Sequence, residues 1–375
     1  MHDTYLTELS GRTVLVTGGA GLIGSRITAY LRQLGARPVS LCTLDAYPPH
    51  VYRDLFGVDT ADSDVIAGDV QDPALVKQVV SECDYVIHTA ALADVAACTR
   101  HPMAAIQTNI TGTQVLLDAV AACEGVRRFC FVSSAGVYGN GNPDDWASPR
   151  DECRTMRQLL ESVYGQIPHQ FHEHTPLRPM SVYANTKAWG ETQTALVLGA
   201  VHTSYTIVRY FSVYGQPQVV KENSHSWVVA WFATRAALGL PLHLNGGGRQ
   251  VRDLVHVEDV AAATVRSLVA PRAHNETVNV GTGTPTSIRT VAELITRHYP
   301  GTRVKETLMP PGDPSGGYAA THRMEAVLGW RPTVTVAEGV KSYAAWLAKH
   351  PAAIPAWLRA ARHEATGVEP SEPVR

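Results

Sequence analysis

What this sequence lacks narrows its function first. No apolar run approaches the roughly 18 residues that a membrane helix needs. Neither charge sign dominates: 32 Lys and Arg face 34 Asp and Glu, a formal net charge of -2, and no basic or acidic block stands out. A nucleic-acid or membrane-surface binder is therefore not expected. Cysteine is sparse, with Cys42, Cys83, Cys98, Cys123, Cys130 and Cys153 scattered and no CxxC pair. That pattern offers neither a disulfide framework nor a zinc site, and it suits reduced, packed thiols in a cytoplasm. The opening Met1-His2-Asp3-Thr4-Tyr5 has no positive flank or apolar stretch of a signal peptide. No repeat recurs at a fixed period.

What is present is alternation. Thr13–Thr17 (TVLVT) is apolar throughout, as a strand buried on both faces should be. A glycine-rich turn follows, then a helix over 22–34 with Gly35 as its stop. Further strands are expected at 38–44, 65–69, 85–90 and 128–134, and a long helix at 104–122. Strand–helix alternation of this kind predicts an α/β, Rossmann-type doubly wound parallel sheet, whose ligands sit beyond the carboxyl ends of its strands. The second half mixes helices near 182–198, 227–238 and 257–269 with loops such as 245–248 (NGGG) and 310–317 (PPGDPSGG). The expected division is a dinucleotide domain over 1–180, with a loop inserted at 140–174, and residues 181–362 completing the sheet and adding a smaller mixed α/β substrate lobe. Residues 363–375 read as a disordered tail.

Gly18, Gly21 and Gly24 form GxxGxxG between a strand and a helix, the context that a dinucleotide site requires. Such a turn brings backbone close to a pyrophosphate, and the helix N-terminus supplies N–H donors and positive partial charge. Asp45 lies 21 residues beyond Gly24, the spacing of a carboxylate that accepts the ribose hydroxyls. It would also repel a 2′-phosphate: unit charges about 4 Å apart cost ~1 kcal/mol in water and ~4 kcal/mol in a partly buried site. NAD is thus expected over NADP. Asp69 closes the next strand at the same edge, as an adenine-side contact or an ordinary helix-starting Asp. In His88-Thr89-Ala90-Ala91 the small residues admit a cofactor, and His88 reads as a structural histidine.

Tyr183 and Lys187 stand at i and i+4 on one helical face. A phenol with pKa near 10 is a poor base at neutral pH, and a nearby ammonium lowers it. Tyr183 could then take the proton of an alcohol while hydride leaves the same carbon. Ser133 and Ser134 end the fifth strand on the cofactor edge, where a hydroxyl can hold the reacting oxygen. Glycine turn, strand-end serine and YxxxK in this order carry more weight than any one alone.

With these motifs the chain resembles the extended short-chain dehydrogenase/reductases, specifically the NAD-dependent sugar-nucleotide epimerase/dehydratase family, from about Arg12 to about Pro332. The resemblance runs through TGGAGLIG at 17–24, HTAA at 88–91, Asn109, SSAGVYG at 133–139, PLRPMSVYANTK at 176–187, RYFSVYG at 209–215, GGGRQVRDLVHVEDVA at 246–261 and NVGTG at 279–283. It implies that Tyr183 is the base, Lys187 its pKa-lowering, ribose-binding partner and Ser134 the substrate-oxygen ligand. Gly18, Gly21, Leu22, Ile23, Gly24, Asp45, Asp69, Val70, Thr89, Ala90, Ala91, Asn109, Ser133 and Tyr210 match cofactor-shell positions. Arg252 matches an arginine that pairs with a substrate diphosphate; the alternative for it is an ion pair with Asp253 or Glu258. The resemblance also implies a homodimer, joined by the helices near 104–122 and 182–198, with Val115, Leu116 and Ala119 in the apolar stripe.

Departures shape the expected reaction. Dehydratases of the family carry Thr-Asp-Glu where this chain has Ser134-Ala135-Gly136, and decarboxylases tend to carry a glutamate there. Small residues favour epimerisation, most simply at C4 of a nucleotide-diphosphate sugar. The remaining readings are a net dehydrogenase or a decarboxylase on a similar substrate, or a non-catalytic dinucleotide-sensing regulator. Ser212 stands where many members have a phosphate-touching asparagine, and Pro310 where many have a diphosphate-binding arginine. In the long 140–174 stretch, Met156, Leu159, Leu160 and Val163 make one apolar helix face, as a lid or a peripheral packing helix. His169, His172 and His174 lack a cysteine or carboxylate set, so no metal is expected.

Overall fold

The strand Thr13–Thr17 (β1) is the axis about which the chain winds in two directions. Arg37–Cys42 (β2) and Val65–Ala67 (β3) add on one side, and Tyr85–His88 (β4) and Arg128–Ser134 (β5) on the other. His169–Phe171 (β6) leaves this sheet; Ser204–Tyr210 (β7) and, much later, Glu276–Val280 extend it beyond β5. The result is seven strands, every neighbouring pair parallel. Winding reverses between β1 and β4, and the crevice beyond their carboxyl ends is where such sheets bind ligands. The computed structural model describes residues 3–140, 159, 168–222, 224, 227–309 and 316–360.

Strand periodicity sorts the core. Leu15, Val86, Phe129, Phe131 and Ile207 face one way, under the helices Pro73–Val80, Gly112–Ala121 and Val182–Leu198. Val14, Val16, Ile87, Cys130, Val132 and Val208 face the other, under Leu22–Gln33 and Val257–Val269. A smaller lobe carries Ser212–Tyr214 (β8), Leu242–Asn245 (β9) and Val251–His256 (β10). After the main-sheet strand Glu276–Val280 (β11) come Pro285–Ser287 (β12), Val304–Thr307 (β13) and Gly316–Ala319 (β14). β12, β10, β14 and β6 pair in that order, β8 joins β10, and β9 pairs with β13. Beneath them, Val229, Phe232, Leu242, Val291, Ile295 and Tyr343 form a separate core.

Several boundaries differ from the sequence expectation for local reasons. β2 stops at Cys42 because Leu44 is left-handed, φ 57°, and turns the chain outward. β3 and β4 likewise end at Ala67 and His88, short of Asp69 and Ala90. The long helix expected over 104–122 is Pro102–Ile106, a π-turn at Gln107–Thr111, and Gly112–Ala121. Residues 246–248 form a 3-10 turn with all three glycines at positive φ, and the last two residues of the expected 310–317 loop, Gly316 and Gly317, begin the strand Gly316–Ala319. The stretch before residue 180 supplies β6 to the smaller sheet, so the lobes interleave more deeply than a division at 180 implies. Unforeseen, the 3-10 helix Asp3–Leu9 buries Leu6 and Leu9 under the sheet. The 140–174 helix, except helical and exposed Leu159, and the expected tail at 363–375 lie outside the described residues.

Candidate active site

Beyond β1 the chain turns through Gly18 at φ 70°. A Cβ on Gly18 would stand 2.9 Å from Thr89 Oγ1 and 3.0 Å from Ala90 backbone, so glycine serves both the left-handed turn and the close approach of β4. A Cβ on Gly24 would lie 2.2 Å from the Gly18 carbonyl oxygen, which explains its tight helix–turn packing. Gly21 differs: a Cβ there meets only that oxygen, at 3.3 Å. It is the N-cap of Leu22–Gln33 and brings no side-chain cap, so the N–H groups of the first turn, around Leu22 and Ile23, are left for an anion. Thr89 donates through Oγ1 to Thr17 O at 2.6 Å, and Ala90 N–H donates to Thr17 Oγ1 at 3.2 Å. Small residues Ala90 and Ala91 therefore line the crevice beside an uncapped, anion-seeking turn. These residues fit a dinucleotide.

Asp45, three residues past β2, is exposed, with one oxygen taken by Thr43 Oγ1 at 2.5 Å. Asp69 turns onto its own loop, accepting from Gln71 N at 2.9 Å and Gln71 Nε2 at 3.1 Å. Val70 is buried against Gly112. Asn109, in the π-turn, is spent on the scaffold: it binds both backbone atoms of Leu92 and donates to Thr186 Oγ1 at 3.0 Å. It ties the loop after β4 to the helix bearing Tyr183. His88 is structural. Thr113 Oγ1 donates to Asn109 O at 2.6 Å and so accepts from His88 Nε2–H at 2.9 Å, while Thr17 Oγ1 donates to Nδ1 at 2.8 Å. Burial, with Lys187 adding to it, pushes the imidazole down to about 3.

Ser181 caps the helix Val182–Leu198 by accepting from Ala184 N at 3.1 Å, and that start aims Tyr183 at the end of β5. There Tyr183 stands beside Ser134, whose Oγ accepts from Gly136 N at 3.1 Å. Burial pushes the Tyr183 phenol up to about 12; the Ser134 hydroxyl pulls it the other way. Lys187 lies one turn further along the same helix. Its Nζ donates to Val132 O at 2.8 Å, and burial lowers it to about 8, against the pull of Glu191. The Lys187 ammonium is thus directed at the β5 backbone.

Ser133 Oγ points away from Tyr183 and donates to Glu191 Oε1 at 2.5 Å. Glu191 in turn takes a bidentate pair from Arg209, Nε at 2.9 Å and Nη2 at 2.6 Å. Arg209 also donates to Tyr138 Oη at 2.8 Å, Tyr138 donates to Asn279 Oδ1 at 2.7 Å, and Asn279 N donates to Glu173 Oε1 at 2.8 Å. This buried network behind the site was missed. Two signals could have found it: Glu191 continues the Tyr183–Lys187 face by four residues, and Arg209 is a charge inside an apolar strand.

Tyr210, register partner of Ser134, buries its ring and places its hydroxyl 2.5 Å from Thr264 Oγ1. Its side chain packs in the core beneath the sheet. Ser212 on β8 and Arg252 on β10 lie in the smaller lobe, and Arg252 Nη1 donates to Val251 O at 2.8 Å. The carboxylates expected as its alternative partners are engaged elsewhere. Asp253 accepts from Thr282, Gly283 and Ala319, and Glu258 is 3.8 Å from Arg26. His169 packs on Phe171, whereas His172 and His174 are exposed; among the described residues no three His, Cys, Asp or Glu group as metal ligands. Pro310 and Cys153 lie outside the described residues; the other five cysteines are unbridged.

A parallel sheet with an uncapped glycine turn at its winding reversal, and a Ser–Tyr pair one strand away, defines an NAD-dependent enzyme of the Rossmann type. The chain belongs to the NAD dependent epimerase/dehydratase family, whose model matches residues 14–158 and 161–281. It is 27% identical over 369 residues to dTDP-L-rhamnose 4-epimerase of Burkholderia thailandensis, covering 93% of this chain and 98% of the relative. It is 28% identical over 357 residues to dTDP-glucose 4,6-dehydratase of Xanthomonas campestris pv. campestris, covering 89% and 92%. The structure of UDP-glucose 4-epimerase of Thermus thermophilus in complex with NAD matches with a TM-score of 0.72 at 28% identity, over 89% of this chain and 98% of that one. No helix among the described residues is long and apolar enough to cross a membrane.

Proposed function

We propose that this chain is an NAD-dependent sugar-nucleotide epimerase that inverts C4 of a nucleotide-diphosphate sugar through a transient keto-sugar. One observation carries the reading: Tyr183 stands beside Ser134 at the carboxyl edge, and the two residues that follow Ser134 are Ala135 and Gly136 rather than acids. A Cβ on Gly136 would meet Ser134 Oγ at 3.3 Å and Ala184 Cβ at 3.5 Å, so the position holds little beyond glycine without adjustment. Expulsion of water from the sugar needs a proton donor there; epimerisation does not. The names of the 4-epimerase relatives support C4.

NAD, when bound, would supply the hydride acceptor and later donor. Tyr183 takes the proton of the sugar hydroxyl and returns it after the ketone has turned. Ser134 holds the reacting oxygen, and Lys187, fixed on Val132 O, presents its ammonium to the cofactor side. Arg252 and Ser212 are assigned to the nucleotide diphosphate from the smaller lobe. The proposal includes a cytoplasmic homodimer. Leu116 is fully buried in the sheet core, and Val115 and Ala119 are half-buried against the same cluster. Met103, 62% exposed, Leu196, 67% exposed, and Ile106 lie on the same two helical segments and offer the exposed part of its interface.

The test is turnover of substrate deuterated at C4 in ordinary water. Retained label in an inverted product, with no net NADH, is expected, and Tyr183→Phe should slow the reaction by about 10²–10⁴-fold. Stoichiometric NADH, carbon dioxide release, or full activity in Tyr183→Phe refutes the mechanism.

A further inference from the structure

Lys221 comes from the loop between β8 and the helix Val228–Ala237, in the smaller lobe, yet its ammonium reaches the larger one. Nζ sits 4.5 Å over the ring of Tyr47, two residues beyond Asp45. Tyr47 is itself fixed edge-on against Tyr52 and Phe56, with centroids 5.9 Å and 5.0 Å away. On the other side of the crevice stands Asp94, past β4, whose Oδ1 caps the following turn at Ala97 N, 2.7 Å, while Oδ2 is buried without a partner among the described residues. Asp94 and Asp45 are the charges that favour the Lys221 ammonium, against the burial that lowers it.

Sheet order locates this cation. β1 lies between β2 and β4. Asp45 follows β2, Asp94 follows β4, and the Gly18–Gly21 turn follows β1. Lys221, stacked on Tyr47 two residues past Asp45, therefore stands at the same carboxyl edge as the glycine turn, beside the strand that precedes it. An ammonium held in that place without a hydrogen-bonded carboxylate among the described residues is suited to an anion. We propose that Lys221 is a cofactor-binding residue donated by the smaller lobe, whose ammonium closes onto the dinucleotide's diphosphate over the glycine turn, with Asp94 positioning it. The diphosphate is thereby gripped from both sides, by backbone N–H groups below and by Lys221 above. The lobe that receives the sugar also holds the cofactor in place. This inference rests on the family's NAD and not on the epimerase reading.

The experiment follows exchange of labelled NAD from the full-length holoprotein, chased with ADP, adenosine or UDP. Lys221→Met should hasten NAD exchange by about 10–100-fold, the worth of a charge-assisted hydrogen bond. ADP should compete less well by the same factor, and adenosine, which has no phosphate, should be unchanged; Lys221→Arg should restore most of the retention. Unchanged exchange in Lys221→Met overturns the proposal. Equal losses for ADP and adenosine do so too, since they mark a purely structural role. A loss confined to UDP also overturns it and transfers the contact to the substrate's diphosphate. None of these readouts depends on turnover, so failure of the epimerase proposal leaves them interpretable.

Discussion

Arg209→Met isolates the buried network that holds the catalytic wall. Arg209 and Glu191 have side chains only 7% and 5% exposed, and their bidentate contacts are 2.9 Å and 2.6 Å. Removing the guanidinium leaves a desolvated carboxylate with one remaining donor, Ser133 Oγ. It also strips a donor from Tyr138 Oη and from Glu173 O. Breaking a buried ion pair from one side costs about 3–5 kcal/mol, because the surviving charge is uncompensated. Urea unfolding of wild type and variant, read from midpoint and slope, measures the loss. The double variant Arg209→Met/Glu191→Leu removes the stranded charge and should recover part of it, giving a strongly non-additive cycle. A loss under about 1 kcal/mol for Arg209→Met, well below the cost of stranding a buried charge, or a double variant as unstable as the sum of the singles, refutes the argument.

The pH dependence of stability should carry the signature of His88. Its folded value, about 3, lies below the ordinary 6.5. The unfolded chain therefore binds the proton first, and stability present above pH 6.5 is lost as pH falls, by up to about 1.4 kcal/mol per pH unit from this group. Urea midpoints between about pH 7 and pH 4 should fall less steeply in His88→Gln, and equal slopes would contradict the assignment. Parallel NAD and NADP titrations should show NAD preferred and the gap narrowed in Asp45→Ala, through loss of repulsion with the 2′-phosphate; equal affinity in the wild type removes the case for Asp45. Leu196→Asp/Met103→Asp should convert a dimer to a 40.5 kDa monomer in light scattering, and a wild-type monomer at micromolar concentration defeats the assembly proposed.

Legibility in the sequence followed the range of the interactions. Gly18 and Gly24 announce themselves because a Cβ at either collides with nearby backbone, a demand expressed in one residue type. Tyr183 and Lys187 share a helix face, so their juxtaposition is written in a four-residue spacing. Leu15 against Val14 and Val16 gave both faces of β1. What stayed hidden joins distant segments: Ser133 to Glu191 is 58 residues apart, and Tyr138 to Asn279 is 141. No local pattern encodes such pairs. The pKa of Tyr183 was hidden likewise. The spacing placed a lysine within one turn of it, but the bond from Lys187 to Val132 O and the burial of both groups depend on how the helix seats on β5.

That seating bears on the chemistry. A C4 inversion requires the keto-sugar to present its opposite face to the same catalytic groups, so one partner must turn while the other stays still. Everything behind Tyr183 is built to stay still. Glu191 on its own helix is cross-linked to Ser133 on β5 and Arg209 on β7, and Asn109 ties Thr186 of that helix to the loop after β4. These bonds span strands that pair in register from Arg128↔Ser204 to Ser134↔Tyr210, leaving Ser134 little freedom relative to the helix. Motion must then lie on the substrate's side. Under the proposed function, Arg252 and Ser212 grip the diphosphate from the smaller lobe, and the sugar is the part free to rotate about its linkage to that anchor. On that proposal the rigid wall and the remote anchor are complementary requirements of a single reaction, and they fall on different sheets.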